Sequence, residues 1–368
     1  MEKFIKKFSE TGMKDVADVG GKNASLGEMF THLAPKGILI PDGFSITTSA
    51  FRHFISFNKL GGELQKLMKD LDRKNFSNLV ETGARARKLI MNRFMPNDLR
   101  EAIADAYDNL FDDSERPVAV RSSATAEDLP GASFAGQHDS YLNIKGHYAL
   151  LYAVKQCFAS LYTDRAIKYR EDNGFDHNKV FLSVGVQQMV RSDLGSSGVG
   201  FTLEPESGFR NVVHIAGLWG LAENIVQGTA TPDEFLVFKP SLKKKLKSII
   251  QKNLGSKSKR LIYTDDDDEN VNSTINQDTP PELRGKFILE DHEVETLANW
   301  ALVIEEYYQH PVDFEWAKDG TNHQLYIIQA RPGTVHSKKK AFQVRSFKLA
   351  EKGEETTTGE TIGNMINC

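Results

Sequence analysis

Cysteine is almost missing from this chain. Two occur in 368 residues, Cys157 and Cys368. They are far apart and one is the last residue, which excludes a disulfide framework or a cysteine-type zinc site and fits a reducing compartment. Long apolar runs are missing too. No stretch approaches the ~20 apolar residues of a membrane span. The opening "MEKFIKKFSETGMKD" lacks the apolar run of a signal peptide or anchor. Charge of one sign is also absent: 46 basic and 50 acidic residues leave a formal net charge of −4. Their mixing along the chain predicts no nucleic-acid surface. No internal repeat is present. The expectation is a soluble, cytoplasmic, globular protein with no membrane and no nucleic-acid partner.

What is present is core material. Hydrophobic residues make up 40% of the chain and include 22 Phe. The length exceeds one ordinary core and suggests two or three packed units. Residues 1 to about 115 read as mixed and largely helical. Leu26, Met29, Phe30 and Leu33 recur at helical spacing, with Asn23 or Ser25 as a cap. "NLVETGARARKLIMNRF" and "NDLREAIADAYDNLF" predict further amphipathic helices. "PVAVRSSA" predicts a short buried strand, with Arg121 where it ends. "YALLYAVKQCFASLYTDRAIKYREDNG" predicts one long helix ending at Asn-Gly. Beyond it, "VFLSVGVQQMV", "SGVGFTLEP", "NVVHIAGLWG" and "DEFLVFKP" predict strands between Gly, Pro and Ser clusters. The charge runs "KKKLK" and "TDDDDEN" read as solvated loops. A strong helix, "LEDHEVETLANWALVIEEYYQH", and a terminal hairpin follow. After Val335 the chain turns polar, as a linker or the edge of another domain would.

Three places can carry chemistry. In "DVGGKNASLGEM", Gly20 and Gly21 precede Lys22 and a helix. Backbone N–H groups at a helix start with a nearby Lys suit an anion. It is not a P-loop: Val16 and Asn23 stand where Gly and Ser or Thr are needed. A plain turn with a solvated Lys fits the same residues. The second place is the stretch "VRSSATAEDLPGASFAGQHDSYLN". Arg121 offers a planar fork for phosphate oxygens, and Ser122, Ser123, Thr125 and Ser133 add hydroxyls. Small residues through Gly136 permit close backbone approach. A polar surface loop is the alternative. The third place is the hairpin. Alternation puts Val312, Phe314 and Trp316 on one face, with Asp313 and Glu315 on the other. Gln329 and Arg331 share a face of the return strand. Carboxylate and amide oxygens suit a Mg²⁺ that also holds phosphates, and a solvated face with an acid–Arg ion pair suits them equally. Together, these dispersed phosphate and metal groups, without a P-loop or a Rossmann glycine pattern, point to an α+β fold of ATP-grasp type. Its two lobes would clamp ATP. They would run over residues 1–190 and 191–335, with a linker at 336–368.

The blocks "VGGKNASLGEM", "VAVRSSATAEDLPGASFAGQHDSYLNI", "MVRSDLGSSGVGFTLEPESGF", "WGLAENIVQGTATPDEF" and "VDFEWAKDG…LYIIQARP" resemble the N-terminal ATP-binding part of phosphoenolpyruvate synthases. Pyruvate phosphate dikinase and rifampicin phosphotransferase share this kind of domain. The resemblance spans about residues 5 to 365. It implies that Lys22, Arg121 and Arg331 contact ATP phosphates and serve catalysis. It places Gly136 and Ser140 in a phosphate-covering loop, with Pro130 to Gly136 free to close. Gln187 and the backbone at Met189 would meet adenine or ribose, and Glu223 would line the nucleotide cleft. Glu315 and Gln329 would ligate Mg²⁺ beside Asp313. Ala222 departs from the family's Gly-Leu-Gly-Glu.

In that family the phosphoryl group passes to a histidine on a swivelling domain and then to pyruvate at a separate barrel. The motif around that histidine does not occur among the ten His residues. His32 lies in a predicted helix and reads as a helix-surface residue. The chain is therefore expected to be the nucleotide half of a longer enzyme, binding Mg·ATP without making phosphoenolpyruvate alone. A homodimer is a further expectation. Two other readings use the same residues: a domain serving another acceptor, and a nucleotide-sensing module without phosphoryl transfer.

Overall fold

A computed structural model describes residues 3–111, 116–124, 140–177, 179–226, 228–264 and 274–332, and the backbone at 128–129 and 132–133. It is a mixed α+β chain that divides into two units. One comprises residues 1–190 with 263–275, the other 191–262 with 276–368.

In chain order the first unit contains β1 (Ile5–Lys7), α1 (Val16–His32), β2 (Gly43–Ile46), α2 (Thr48–Phe57), α3 (Gly61–Lys69), α4 (Leu79–Met91) and α5 (Asn97–Asp108). There follow β3 (Val118–Ala124), β4 (Asp128–Leu129), β5 (Ala132–Ser133), β6 (Ser140–Ile144), α6 (Gly146–Ser160), α7 (Asp164–Asp172) and β7 (Leu182–Gln188). Five strands form a sheet in the order β1-β2-β7-β3-β6. Val118, Val120, Val184 and Val186 alternate onto one face. They join Phe51, Phe54 and Phe158 of α2 and α6 in the core. The intervening residues are small or polar: Ser45, Ser123, Ser183 and Gly185.

That second face receives α1, and glycine sets the approach. Gly20 has φ +73° and ψ 166° and breaks α1 into two helical pieces. A Cβ there would lie 2.7 Å from the Ser123 carbonyl oxygen and closer still to its hydroxyl. Asn23 fills the space over Gly185, and its Nδ2 donates to Ser183 Oγ at 3.0 Å. The Gly-Gly-Lys turn thus doubles as a packing contact with the sheet.

The structure corrects two sequence expectations here. β3 extends through Ala124 because Ser122, Ser123 and Ala124 pair with Val184, Ser183 and Leu182. Arg121 is therefore at the middle of the strand rather than its end. The single long helix is two, α6 and α7. Thr163 accepts from Ala166 N at 3.3 Å and caps a new start. The end at Asn173–Gly174 is as read, with Gly174 at φ +68°.

The second unit contains β8 (Ser196–Phe201), β9 (Val212–Trp219), α8 (Glu223–Val226), β10 (Asp233–Phe238), α9 (Lys239–Lys243), β11 (Ile249–Asn253) and most of β12 (Lys259–Tyr263) and β13 (Thr274–Asp278), whose ends at Tyr263 and at Thr274–Ile275 fall in the first. It ends with α10 (Pro281–Arg284), α11 (Asp291–Tyr308), β14 (Val312–Lys318) and β15 (Leu325–Pro332). Six strands form an antiparallel sheet, β11-β10-β9-β8-β14-β15, and β12 and β13 form a two-stranded ribbon. The charged stretch at 240–280 therefore holds regular structure, because β11 finds a partner in β10. Lys243 to Lys247 are exposed as expected; residues 265–273 lie outside the described ones.

One face of this sheet is apolar. Gly198, Gly217 and Trp316 lie in one cross-strand row. A Cβ on Gly217 would meet Trp316 and Ile288, so the sheet is kept thin there for the fully buried indole. α11 packs on this side, and its Glu293 pairs with Lys318 at 2.5 Å. The start of β10 is pinned by a buried pair. Asp233 and Lys257 are both fully buried and paired. Asp233 also accepts from Gly255 N at 2.8 Å and Ile288 N at 2.9 Å. Shared donors of this kind are what a buried carboxylate requires.

Candidate functional site

The predicted residues fall into two groups, one on each sheet. In the first unit the register defines a row across four strands: Ser45 on β2, Gly185 on β7, Arg121 on β3 and Ser140 on β6. Direct neighbours in such a row stand about 5 Å apart. Gln187 lies opposite Ala119, diagonal to Arg121 and on the same face. It is almost fully buried, and its Nε2 donates to the Pro41 carbonyl at 3.4 Å. Met189 follows the end of β7, and its N–H donates to Pro117 O at 3.1 Å. Lys22 sits two residues past the break at Gly20, next to Asn23, on the helix that packs over β3 and β7.

The polar accounting of this face is incomplete. Among the described residues, Arg121 Nε and the hydroxyls of Ser45 and Ser123 are buried without a hydrogen-bond partner. Unpaired buried donors are costly, of order 1–3 kcal/mol each. A phosphate oxygen is the acceptor that suits an unpaired guanidinium N–H. Gly136 and the expected closing stretch from Pro130 lie outside the described side chains. β4 and β5 pair through Asp128 with Ser133 and Leu129 with Ala132.

In the second unit the hairpin registers as the alternation requires. Asp313 lies opposite Arg331 and Glu315 opposite Gln329, with a bulge just after Glu315. Both polar pairs lie on one side of the bulge and share a face by simple alternation; the bulge inserts Ile328 beyond them and shifts the pairing from Trp316 onward. β14 is an interior strand, flanked by β8 and β15, whereas β15, which carries Gln329 and Arg331, is the edge of the sheet. Two rows cross it. One runs Arg331, Asp313, Phe201, His214; the next runs Gln329, Glu315, Val199, Ala216, Glu234.

Arg331 Nε donates to Asp313 Oδ2 at 2.6 Å. Asp313 Oδ1 is buried and without a partner among the described residues. Burial pushes the Asp313 pKa up, with Glu315 adding to it, while Arg331 pulls it down. His214 stacks on Phe201 at 6.3 Å between ring centroids, and burial lowers its pKa. The sequence reading missed His214 and Val199. Val199 stood in "SGVGFTLEP" on β8, and the signal for His214 was the alternation in "NVVHIAGLWG", hidden because both faces of β9 are buried.

Glu223 opens α8, half-buried, after the turn at Gly220. The left-handed position in that block is Gly220, φ +85°, whose Cβ would strike the Leu261 carbonyl. Ala222 is not at positive φ, so a side chain is accommodated there. Its neighbour Asn224 exchanges amide hydrogen bonds with Asn276 at 3.1 Å and anchors the turn.

The donor set at Asp313, Glu315 and Gln329 fits a hard divalent cation. It offers carboxylate and amide oxygens on one face, one of them an orphaned acceptor, and leaves positions for water and phosphate oxygens. No group of three or more His, Cys, Asp or Glu residues that could hold a metal ion occurs among the described residues. No described helix is long and apolar enough to cross a membrane.

Residues 16–351 match the family described as pyruvate phosphate dikinase, AMP/ATP-binding domain. The chain belongs to that family of ATP-binding domains. Its curated relatives include a phosphoenolpyruvate synthase of Synechocystis, 46% identical over 98% of this chain and 45% of the relative. That of Aquifex aeolicus is 48% identical over 98% of this chain and 43% of its own length. That of Escherichia coli is 45% identical, covering 98% and 45%. The chain spans under half the length of these relatives.

Proposed function

We propose that this chain is the Mg·ATP-binding, phosphoryl-donating part of a phosphoenolpyruvate synthase, built as an ATP-grasp fold. In this reading the nucleotide is taken by residues of both units. Arg121 and Lys22 hold phosphate oxygens, and Ser140 adds a hydroxyl. Gln187 and the Met189 backbone meet the base or ribose, and Glu223 lines the nucleotide site. Glu315 and Gln329 hold Mg²⁺ with Asp313 beside them, and Arg331 reaches phosphate. Bound Mg²⁺ would neutralise the charge developing on the transferred group. The protein's own contribution is positioning: a loose phosphoryl-transfer transition state asks for fixed positive groups and excluded water. The acceptor is a histidine on a swivelling domain, and the onward substrate is pyruvate on a separate barrel. The greater length of the curated relatives supports such additional parts.

The observation that carries this reading is the hairpin face. Opposed Asp313–Arg331 and Glu315–Gln329 pairs combine phosphate-binding and metal-binding chemistry within one turn of strand. Calorimetric titration with ATP, with and without Mg²⁺, tests it on wild type and Glu315→Ala. The expected result is metal-enhanced binding in the wild type that is lost in the variant. Equal metal dependence in both removes the magnesium assignment.

A further inference from the structure

The turn that carries Glu223 is held from two sides within the second unit. On the sheet side, Gly220 N donates to Gly195 O at 3.1 Å, and Ser197 Oγ donates to Gly220 O at 2.5 Å. Both bonds act on Gly220. The residues after it are held by the β12–β13 ribbon. Gly220 forms a parallel bridge with Leu261 of β12, and Leu221 N donates to Leu261 O at 2.9 Å. From β13, Asn276 exchanges amide hydrogen bonds with Asn224, each at 3.1 Å.

The two asparagines are unequal. Asn224 is buried and Asn276 is exposed. A buried amide needs both its donor and its acceptor served, and a second amide facing it head to tail serves both. The Asn224 backbone carbonyl also accepts from Thr229 N at 3.0 Å and from Thr229 Oγ1 at 3.3 Å, which closes the far end of the turn. Asn224 follows Glu223 directly in α8. Fixing the Asn224 side chain therefore fixes the backbone that aims the carboxylate. Because Asn276 is exposed, its truncation tests the bridge with little change to core packing.

We propose that the β12–β13 ribbon is a positioning element for the nucleotide site, with Asn276 acting through Asn224 to aim Glu223. The proposal rests on the reading that Glu223 lines that site. An ionised carboxylate only accepts hydrogen bonds, so its partners on a nucleotide are the ribose hydroxyls or the base amino group. Such bonds weaken steeply with distance and angle, and a turn released from the ribbon would loosen them.

The test is a double-mutant cycle in Mg·ATP affinity, measured by calorimetry on the whole protein with Glu223→Gln, Asn276→Ala and the pair. Melting by circular dichroism follows each variant. Glu223→Gln should weaken binding about tenfold, the order of a lost hydrogen bond to a charged group. Asn276→Ala should weaken it about fivefold, within the range for residues coupled in one hydrogen-bond network. With Glu223→Gln already present, Asn276→Ala should cost less than about twofold, because no carboxylate is left to aim. A bridge with only a structural role would lower the melting midpoint and weaken ATP binding equally in both backgrounds, and that result would overturn the proposal. Wild-type affinity in Asn276→Ala beside a weakened Glu223→Gln would overturn the positioning role alone. Wild-type affinity in Glu223→Gln would remove Glu223 from the nucleotide site, and the proposal with it. If Asn276→Ala melts too low to titrate, Asn276→Asp, which keeps the acceptor facing Asn224 Nδ2, runs the same cycle.

Discussion

Gly20→Ala is the sharpest probe of how closely α1 approaches β3 in the first unit. Gly20 lies at φ +73° and ψ 166°, a region essentially reserved for glycine and costing a side chain of order 1–3 kcal/mol. The new Cβ would also press on the Ser123 backbone, with the carbonyl oxygen 2.7 Å away. Overpacking against backbone adds about 1–3 kcal/mol. The sum is about 2–6 kcal/mol, or a fall in melting midpoint of roughly 5–20 °C for a unit of this size. Calorimetry and far-UV circular dichroism measure it. Because the break orients the helix that carries Lys22 over the strand that carries Arg121, ATP affinity should fall too. Adding Ser123→Gly removes the hydroxyl but leaves the carbonyl, so stability should return only in part. A Gly20→Ala protein that melts within about 2 °C of wild type would refute the close approach of α1 to β3.

Two further outcomes follow from buried charge. Lys257→Met leaves Asp233 charged and short of its partner, and should cost about 3–5 kcal/mol in the second unit by chemical denaturation; a change below 1 kcal/mol would contradict it. His177 has a folded-state pKa below its unfolded one. Its contribution is full above the ordinary histidine range and is lost as pH falls through that range toward the folded value. Stability of the first unit should therefore drop as pH falls there, and His177→Gln should flatten the profile. An unchanged profile would show that the neutral imidazole is not what resists acid.

The sequence carried the alternation that builds the hairpin. "VDFEWA" against "LYIIQARP" fixes which residues share a face, and burial follows it: Phe314 and Trp316 inside, Asp313 and Glu315 on the opposite side. The bulge after Glu315 was not legible, because it depends on pairing partners. The helix break at Thr163 was hidden for a different reason. "SLYTDRAI" keeps apolar residues at helical spacing across it, and only the Thr163–Ala166 cap bond distinguishes two helices. Arg121 was read at a strand end because serines are poor strand formers. Pairing to β7 overrode that propensity. The small-residue face of the first sheet was present in "VAVRSSA" and "LSVGVQQ" as every second residue. Its purpose appears only when α1 packs there.

The central claim is that phosphate-holding and metal-holding residues from different sheets act on one nucleotide. A double-mutant cycle in Mg·ATP affinity, with Arg121→Ala, Glu315→Ala and the pair, addresses it directly. The account predicts that each single change weakens binding at least about tenfold. Their effects should then fall short of additive by about 0.5–3 kcal/mol, because both act on one phosphate chain. Wild-type affinity in either single variant, or strict additivity in the pair, would contradict it.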